Sequence, residues 1–296
     1  MALGYEGYCL LNTGLSSQTY LLATAVTAPR TRVKLESSSG YGGRIKTPVD
    51  EIGIGSPHNY DKESYNGSVS YEATIDALSD HIKPWLFDRQ ANGASLEFVT
   101  RLNGNQTLTS VYWNSLTLSA RENSAIEGGI GFVAKERFYT FGDTGTDGYI
   151  DNKEGQHLGC PSPSGLDPLS GDNLFPIPFW NSTVEFDSTS LDFMEWNLDY
   201  SQDISEFYSC EGNSSAQLPS FIAAGPMSAR FSGTYMFEAP TSDTVNQIKV
   251  TAGSGVGTSV EFKLNVAEAS VVADDLQGID ALTPIVVEYD AYEIEV

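Results

Sequence analysis

One short phrase of this chain occurs twice, and the recurrence limits the folds open to it. "SYNGSVSYEAT", residues 64–74, returns as "RFSGTYMFEAP", residues 230–240. The alignment sets Tyr65 on Phe231, Gly67 on Gly233, Tyr71 on Phe237, Glu72 on Glu238 and Ala73 on Ala239. A second pair follows in the same order, "GASLEFVTRLN" from Gly93 and "GTSVEFKLNVA" from Gly257. Gly67 and Gly93 are 26 residues apart, Gly233 and Gly257 are 24 apart. Two ordered matches at nearly constant spacing point to an internal duplication. The length of 296 residues agrees, since it suits roughly two domains of about 150 each. The expected division is a first copy over 1–140, a linker over 141–179 crowded with Gly, Pro, Asp and Ser, and a second copy over 180–296.

The residues inside each copy read as strands. Period-two alternation recurs in "SVSYEAT", "SLEFVTRL", "STVEFD", "SVEFKLNV" and "IVVEYDAYEIEV". It places Val69, Tyr71 and Ala73 on one face, and Leu96 with Phe98 on another. Helix signals are few. In "TIDALSDHIKPWL", Thr74 caps, Asp76 sits in the first turn, and Ile75, Leu78 and Ile82 share a face. Pro84 is expected to end that helix at or before Lys83. "TSDTVNQIKV" offers a matching helix in the second copy, capped by Thr241 or Ser242, with Val245 and Ile248 on one face. The expected fold class is therefore mainly β: two tandem β-sandwich or partial-barrel domains, each with one short helix. The tryptophans Trp85, Trp113, Trp180 and Trp196 are expected in the core.

Charge narrows the partners. The net charge is −23. Residues 1–137 carry 12 Lys and Arg against 14 Asp and Glu, and residues 138–296 carry 4 against 25. Such a surface repels phosphates, which argues against specific nucleic-acid binding. No apolar run is long enough for a membrane-spanning helix, so no membrane partner is expected. The opening "MALGYEGYCLLNTG" has neither a basic first segment nor a clear cleavage site, so no signal peptide is expected. Cys9, Cys160 and Cys210 show no metal or redox spacing and read as reduced thiols.

The linker holds one motif with defined chemistry. In "DTGTDGYIDNKE", Asp143, Asp147, Asp151 and Glu154 fall at positions 1, 5, 9 and 12 of a calcium loop. Gly148 occupies the sharp turn, and the Tyr149 carbonyl is a further oxygen ligand. Gly145 stands where Asp or Asn is usual, and the flanks lack two amphipathic helices. Ca²⁺ in an isolated, stiffened loop and a metal-free acidic turn both remain open. No nucleophile elbow, phosphate loop or zinc motif occurs, and His58, His81 and His157 are far apart, so no enzyme is expected.

"ESYNGSVSYEATIDALSDHI" and "GPMSARFSGTYMFEAPTSD" resemble the inner strand and following helix of the major tail tube proteins of long, non-contractile phage tails. The likeness covers both halves and rests on diffuse patterns. It implies a virion structural protein, made in the host cytoplasm and placed in the phage tail. Its partners would be itself, around a ring and along a stack, and other tail components at the tube ends. Genomic DNA would pass through without specific binding. Single tube domains close as sixes, so a two-copy chain implies a pseudo-sixfold ring of three subunits. Glu72 and Glu238 are the candidates to face the lumen. Two other readings stay open: a secreted or surface two-domain adhesive module with a calcium-stiffened linker, and a ring component at the tube end. The loop reading predicts calcium-binding heats in calorimetry that the double change Asp143→Ala, Glu154→Ala abolishes; equal heats from both proteins would remove the ion.

Overall fold

The computed structural model describes residues 7–14, 19–27, 30–34, 60–87, 94–100, 104–140, 175–208, 218–235, 245–253, 257–266 and 285–295. The protein is mainly β, with all fourteen of its described strands in one continuous sheet. The calcium-loop residues Asp143, Asp147, Tyr149, Asp151 and Glu154, the lumen candidate Glu238, and Cys160 and Cys210 lie outside the described residues.

In the first half, β1 (Gly7–Asn12), β2 (Thr19–Thr27), β4 (Tyr60–Glu72), β5 (Ser95–Thr100), β6 (Gly104–Arg121) and β7 (Glu127–Thr140) close a six-stranded barrel. The antiparallel circuit runs β1–β2–β4–β7–β6–β5 and back to β1. β2 serves two neighbours in turn: Thr19–Leu21 pair with β1 and Leu22–Thr27 with β4. β3 (Arg30–Lys34) then continues along β4. Period-two burial fills the interior, and Val69, Tyr71, Leu96, Leu108, Leu118, Ile130 and Phe132 are all at most 2% exposed.

The second half repeats this circuit. It uses β8 (Ser182–Phe186), β9 (Thr189–Leu191), β10 (Phe193–Phe207), β11 (Phe221–Tyr235), β12 (Gln247–Gly253), β13 (Ser259–Val266) and β14 (Ile285–Glu295). β9 and β10, separated only by Asp192, together play the part of β2: β9 pairs with β8 and β10 with β11. The ring then runs β11–β14–β13–β12–β8. Even the bulge recurs, since one extra residue interrupts the pairing between Ala23 and Ala25 and again between Phe193 and Glu195. Aromatic rings knit this second interior. Phe186 of β8 meets Phe193, Phe231 and Tyr289 across the ring, with centroids 5.6, 5.7 and 5.4 Å away.

Shared topology corrects the sequence alignment. The bulges make Tyr71 equivalent to Tyr235, two residues from the match with Phe237. The second matched pair aligns unlike strands, because β5 corresponds in the circuit to β12, whereas β13 corresponds to β6. An amphipathic Glu-Phe strand is common currency among sheets, so short identities of that kind do not fix position.

The helix after β4 also departs from expectation. Thr74 does cap it, accepting from the Ala77 N–H at 3.2 Å. It does not stop by Lys83. π-helical turns over Ala77–Ile82 lead into α-helical turns over Lys83–Phe87. The Lys83 N–H reaches the Leu78 carbonyl five residues back, so the ladder has already widened where Pro84 brings its ring and loses its donor. Burial of Trp85 and Leu86 rewards the continuation. In the second half Thr241 and Ser242 lie outside the described residues, and Gln247–Val250 of the segment read as a helix belong instead to β12, whose burial alternates strictly. Ile248 and Ala252 fit both periods, but Val250 fits only period two, and β12 is hydrogen-bonded on both edges.

Residues 175–179, assigned to the linker by sequence, are pinned to the first barrel. Ala73, Ile126 and Ile177 form a closed triad of backbone bonds of 2.8, 2.8 and 2.9 Å, and Ile177 is buried. Phe186→Ala, which opens the aromatic closure of the second barrel, is expected to cost about 3–5 kcal/mol in urea unfolding, with Phe186→Leu recovering most of it.

Candidate functional site: the polar face of the joined sheet

The two barrels meet through backbone. β6 pairs with β5 only over Gly104–Thr109; its far end, Ser115–Arg121, lies along Ser201–Glu195 of β10. Beneath this seam the side chains pair apolar on apolar: Leu116 with Tyr200, Leu118 with Leu198 and Ala120 with Trp196, all buried. The result is a sheet running β2–β4–β7–β6–β10–β11–β14–β13 without a break. Four strands come from each barrel, and equivalent strands follow in the same order.

The face of this sheet away from the core is polar and built of small side chains. One row crosses six strands as Glu72, Glu127, Ser119, Asn197, Ser232 and Glu288. The next row reads Ser70, Gly129, Thr117, Asp199, Arg230 and Asp290. A third reads Ser68, Gly131, Ser115, Ser201 and Ser228. Along one margin Arg121, Glu195, Thr234 and Val286 form a fourth. A shallow groove follows the β6–β10–β11–β14 part of this face, lined in part by Ser119, Asn197, Ser232 and Glu288.

Strand spacing leaves no room for larger groups in places. A Cβ on Gly129 would stand 2.5 Å from Thr117 Oγ1, and one on Gly131 would collide with Ser115 Oγ. The flatness of this face is therefore enforced by packing between its own strands. Hydroxyls bridge neighbours, as in Ser201 with Ser228 and Thr27 with Ser68, both at 2.8 Å.

Carboxylates dominate the charge. Glu72, Glu127, Glu195, Asp199, Glu288 and Asp290 stand on these rows against Arg121 and Arg230. Arg230 is already engaged: its Nε donates to Asp290 Oδ1 at 2.7 Å, and Glu288 lies 3.8 Å from its Nη1. Both pairs are exposed to solvent and contribute little to stability. Asp199 behaves differently. Partial burial raises its pKa, while the Asn197 amide that donates to it and the nearby Arg230 charge pull it down without cancelling the rise. Thr234 Oγ1 donates to Glu195 at 2.9 Å.

Of the sequence-derived candidates, Glu72 lies on this polar face, at the outer end of its first row, and is half-buried. The tryptophans divide. Trp85, Trp113 and Trp196 are buried, as expected, and Trp113 Nε1 donates to the Trp85 carbonyl at 3.1 Å. Trp180 is 74% exposed, which overturns its assignment to the core. It sits in a one-turn 3-10 helix, Phe179–Asn181, whose backbone holds the Ser124 turn and leaves the indole pointing away from the barrel. Cys9 is a buried free thiol, and burial raises its pKa well above the ordinary range. Sequence reasoning missed β6 and β10 as the seam. The signal was present in two runs of period-two apolar residues, Leu116–Leu118–Ala120 and Trp196–Leu198–Tyr200.

No family model matches the chain, and no curated protein matches it.

Because Asp199 holds its proton more tightly folded than unfolded, its ionisation costs stability once pH rises through the raised pKa, and costs nothing below the ordinary value of 3.8. Asp199→Asn is therefore expected to melt higher than the parent at pH 7, with the difference closing as pH falls through the carboxylate range. Equal melting points across that range would show the burial cost to be fully offset.

Proposed function

We propose that this protein is a structural subunit of a phage tail tube, with its polar sheet face turned toward a lumen through which DNA passes. One observation carries the reading. β10 has β4's counterpart, β11, on one edge and β6 of the other barrel on its opposite edge. β2, the strand equivalent to β10, has β4 on one edge, and over Leu22–Thr27 no strand pairs with its other edge among the described residues.

The exposures agree with an unfilled position. By the bulge alignment Val26 is equivalent to Trp196, and each faces the core side. Trp196 is 3% exposed because β6 lies beside it, whereas Val26 is 42% exposed. A further barrel laid against β2 as the first barrel lies against β10 would cover Val26 and pair the open edge. Repeating one such joint links copies side by side along the sheet, and a joint of this kind gives a ring when its rotation closes. Three chains of two barrels each give the pseudo-sixfold ring that the resemblance implies.

The face itself suits a conduit. Its rows of Ser, Thr, Gly and Asn offer nothing to grip, and its carboxylates repel the phosphate backbone. The cationic side chains on these rows are Arg121 and Arg230, and Arg230 is committed to Asp290, which leaves little to hold phosphates. No catalytic chemistry is assigned, and the Asp143 loop with its Ca²⁺ remains a proposal for stiffening the join between the barrels.

Electron microscopy of the purified chain is the test. Hollow tubes built from threefold rings are expected, and Val26→Lys, which puts a charge on the open edge, is expected to abolish rings while leaving the thermal melt of the subunit unchanged. A parent protein that stays monomeric at millimolar concentration would overturn the reading, as would tubes undiminished by Val26→Lys. Isolated rings that never lengthen would assign the protein to the tube end.

A further inference from the structure

The duplication makes each barrel a template for the other, and at one place they differ by an aromatic ring. With Tyr71 equivalent to Tyr235, Tyr65 of β4 is equivalent to Ala229 of β11. Their partners agree: Tyr65 pairs with Ala134 of β7, and Ala229 with Ala291 of β14. Further along, Arg137 lies opposite Leu108 and Ile294 opposite Leu264. Each stands three residues after an alanine paired with a valine, Ala134 with Val111 and Ala291 with Val266. The first barrel thus has a tyrosine and an arginine where the second has an alanine and an isoleucine.

In the first barrel Tyr65 fills its site. It is 7% exposed, and the Arg137 guanidinium lies over its ring, 5.8 Å from the centroid. In the second barrel the same place is a cleft of about 300 Å³ between Met227, Ala229 and Ala291 of the sheet and Leu86 and Phe87, which belong to the helix of the first half. That volume is at the lower end of the range for small-molecule sites. Walls that meet no atoms across a cleft forgo the dispersion contacts that Tyr65 makes in its own barrel.

Charge narrows the occupant. Among the described residues Glu293 is the only charged side chain lining the cleft, and it is exposed at the border, its Oε2 accepting from Asn265 Nδ2 at 3.2 Å. Lys83 stands one turn before Phe87 on the helix, and Lys263 of β13 is 3.9 Å from Glu261, but neither lines the cleft. The arginine that covers the ring in the first barrel therefore has no cationic counterpart here, while a carboxylate is available to receive one.

We propose that this cleft binds a small molecule made of one aromatic ring with an ammonium arm. The ring takes the place that Tyr65 fills in the first barrel, and the arm, directed at Glu293, supplies the cation that Arg137 supplies there. Leu86 and Phe87 form the apolar wall opposite the sheet, and the Met227 thioether is a soft contact for a ring. The site belongs to a single chain and does not depend on the tube.

Tyramine, the decarboxylated form of tyrosine, is the probe, followed through the methyl resonances of the four methionines. Titration is expected to shift the Met227 methyl, assigned with Met227→Leu, and to leave Met194 still, with half-saturation at or below about 1 mM. Butylamine, which lacks the ring, is expected to leave Met227 unmoved, and neutral para-cresol to bind several-fold more weakly than tyramine. Glu293→Gln is expected to weaken tyramine several-fold and leave para-cresol unchanged. Ala229→Tyr puts the ring of the first barrel into the cleft and is expected to abolish binding of both, with folding checked by its melt. Ala229→Leu, a smaller filling, keeps the test if the tyrosine variant does not fold, and is expected to weaken both ligands several-fold. A Met227 methyl unmoved by tyramine at about 10 mM would overturn the proposal, as would binding undiminished by a filling that folds. Equal affinity of tyramine and para-cresol for the parent would overturn the assignment of the ammonium arm to Glu293.

Discussion

The fold depends on the backbone pairing of β6 with β10. Without it the chain would be two small barrels tethered by a long segment. With it, an extended sheet passes from one barrel to the next, and a single hydrophobic cluster lies beneath. The pairing is stable because it satisfies two demands together. It supplies partners for the N–H and C=O groups of strands too long for their own barrels, and it buries Leu118 against Leu198 and Ala120 against Trp196. Either demand alone would leave exposed strand edges or exposed apolar surface.

From this seam follows the character of the polar face. A strand shared between two barrels has one side committed to the core on both sides of the joint, so its other side must be continuous as well. Glycine at 129 and 131 lets β7 approach the hydroxyls of β6 closely, and serine and threonine fill the remaining sites. Among the carboxylates of these rows Asp199 is partly buried, a cost offset in part by Asn197 and Arg230. A face that is flat, acidic and uninterrupted across two barrels is a consequence of how they join.

Local alternation made much of this legible before any coordinates. The faces of Val69, Tyr71 and Ala73, and of Leu96 and Phe98, follow directly from period two, and Thr74 caps as its chemistry suggests. What alternation does not specify is the neighbour. β5 and β13 share a Glu-Phe pattern yet occupy different places in their circuits, because a strand's pattern records which face is buried and not which strand lies beside it. Ile248 fits a helix and a strand equally, and the choice is made by β8 and β13, both distant in sequence. Pro84 fails to end its helix because a π turn, invisible to propensity, intervenes. For the candidate site, Glu72 was readable as a polar-face residue, while the rows opposite it were not, since they are assembled from six strands.

Val26 shows where such reasoning gains purchase on assembly. A large apolar side chain left in water costs solvation free energy that folding alone has not recovered, and single cases need no explanation. Here the exposure has a counterpart within the molecule. Val26 has an equivalent, Trp196, that is covered by a neighbouring barrel. A duplicated fold is thus its own control, because one copy displays the contact that the other lacks.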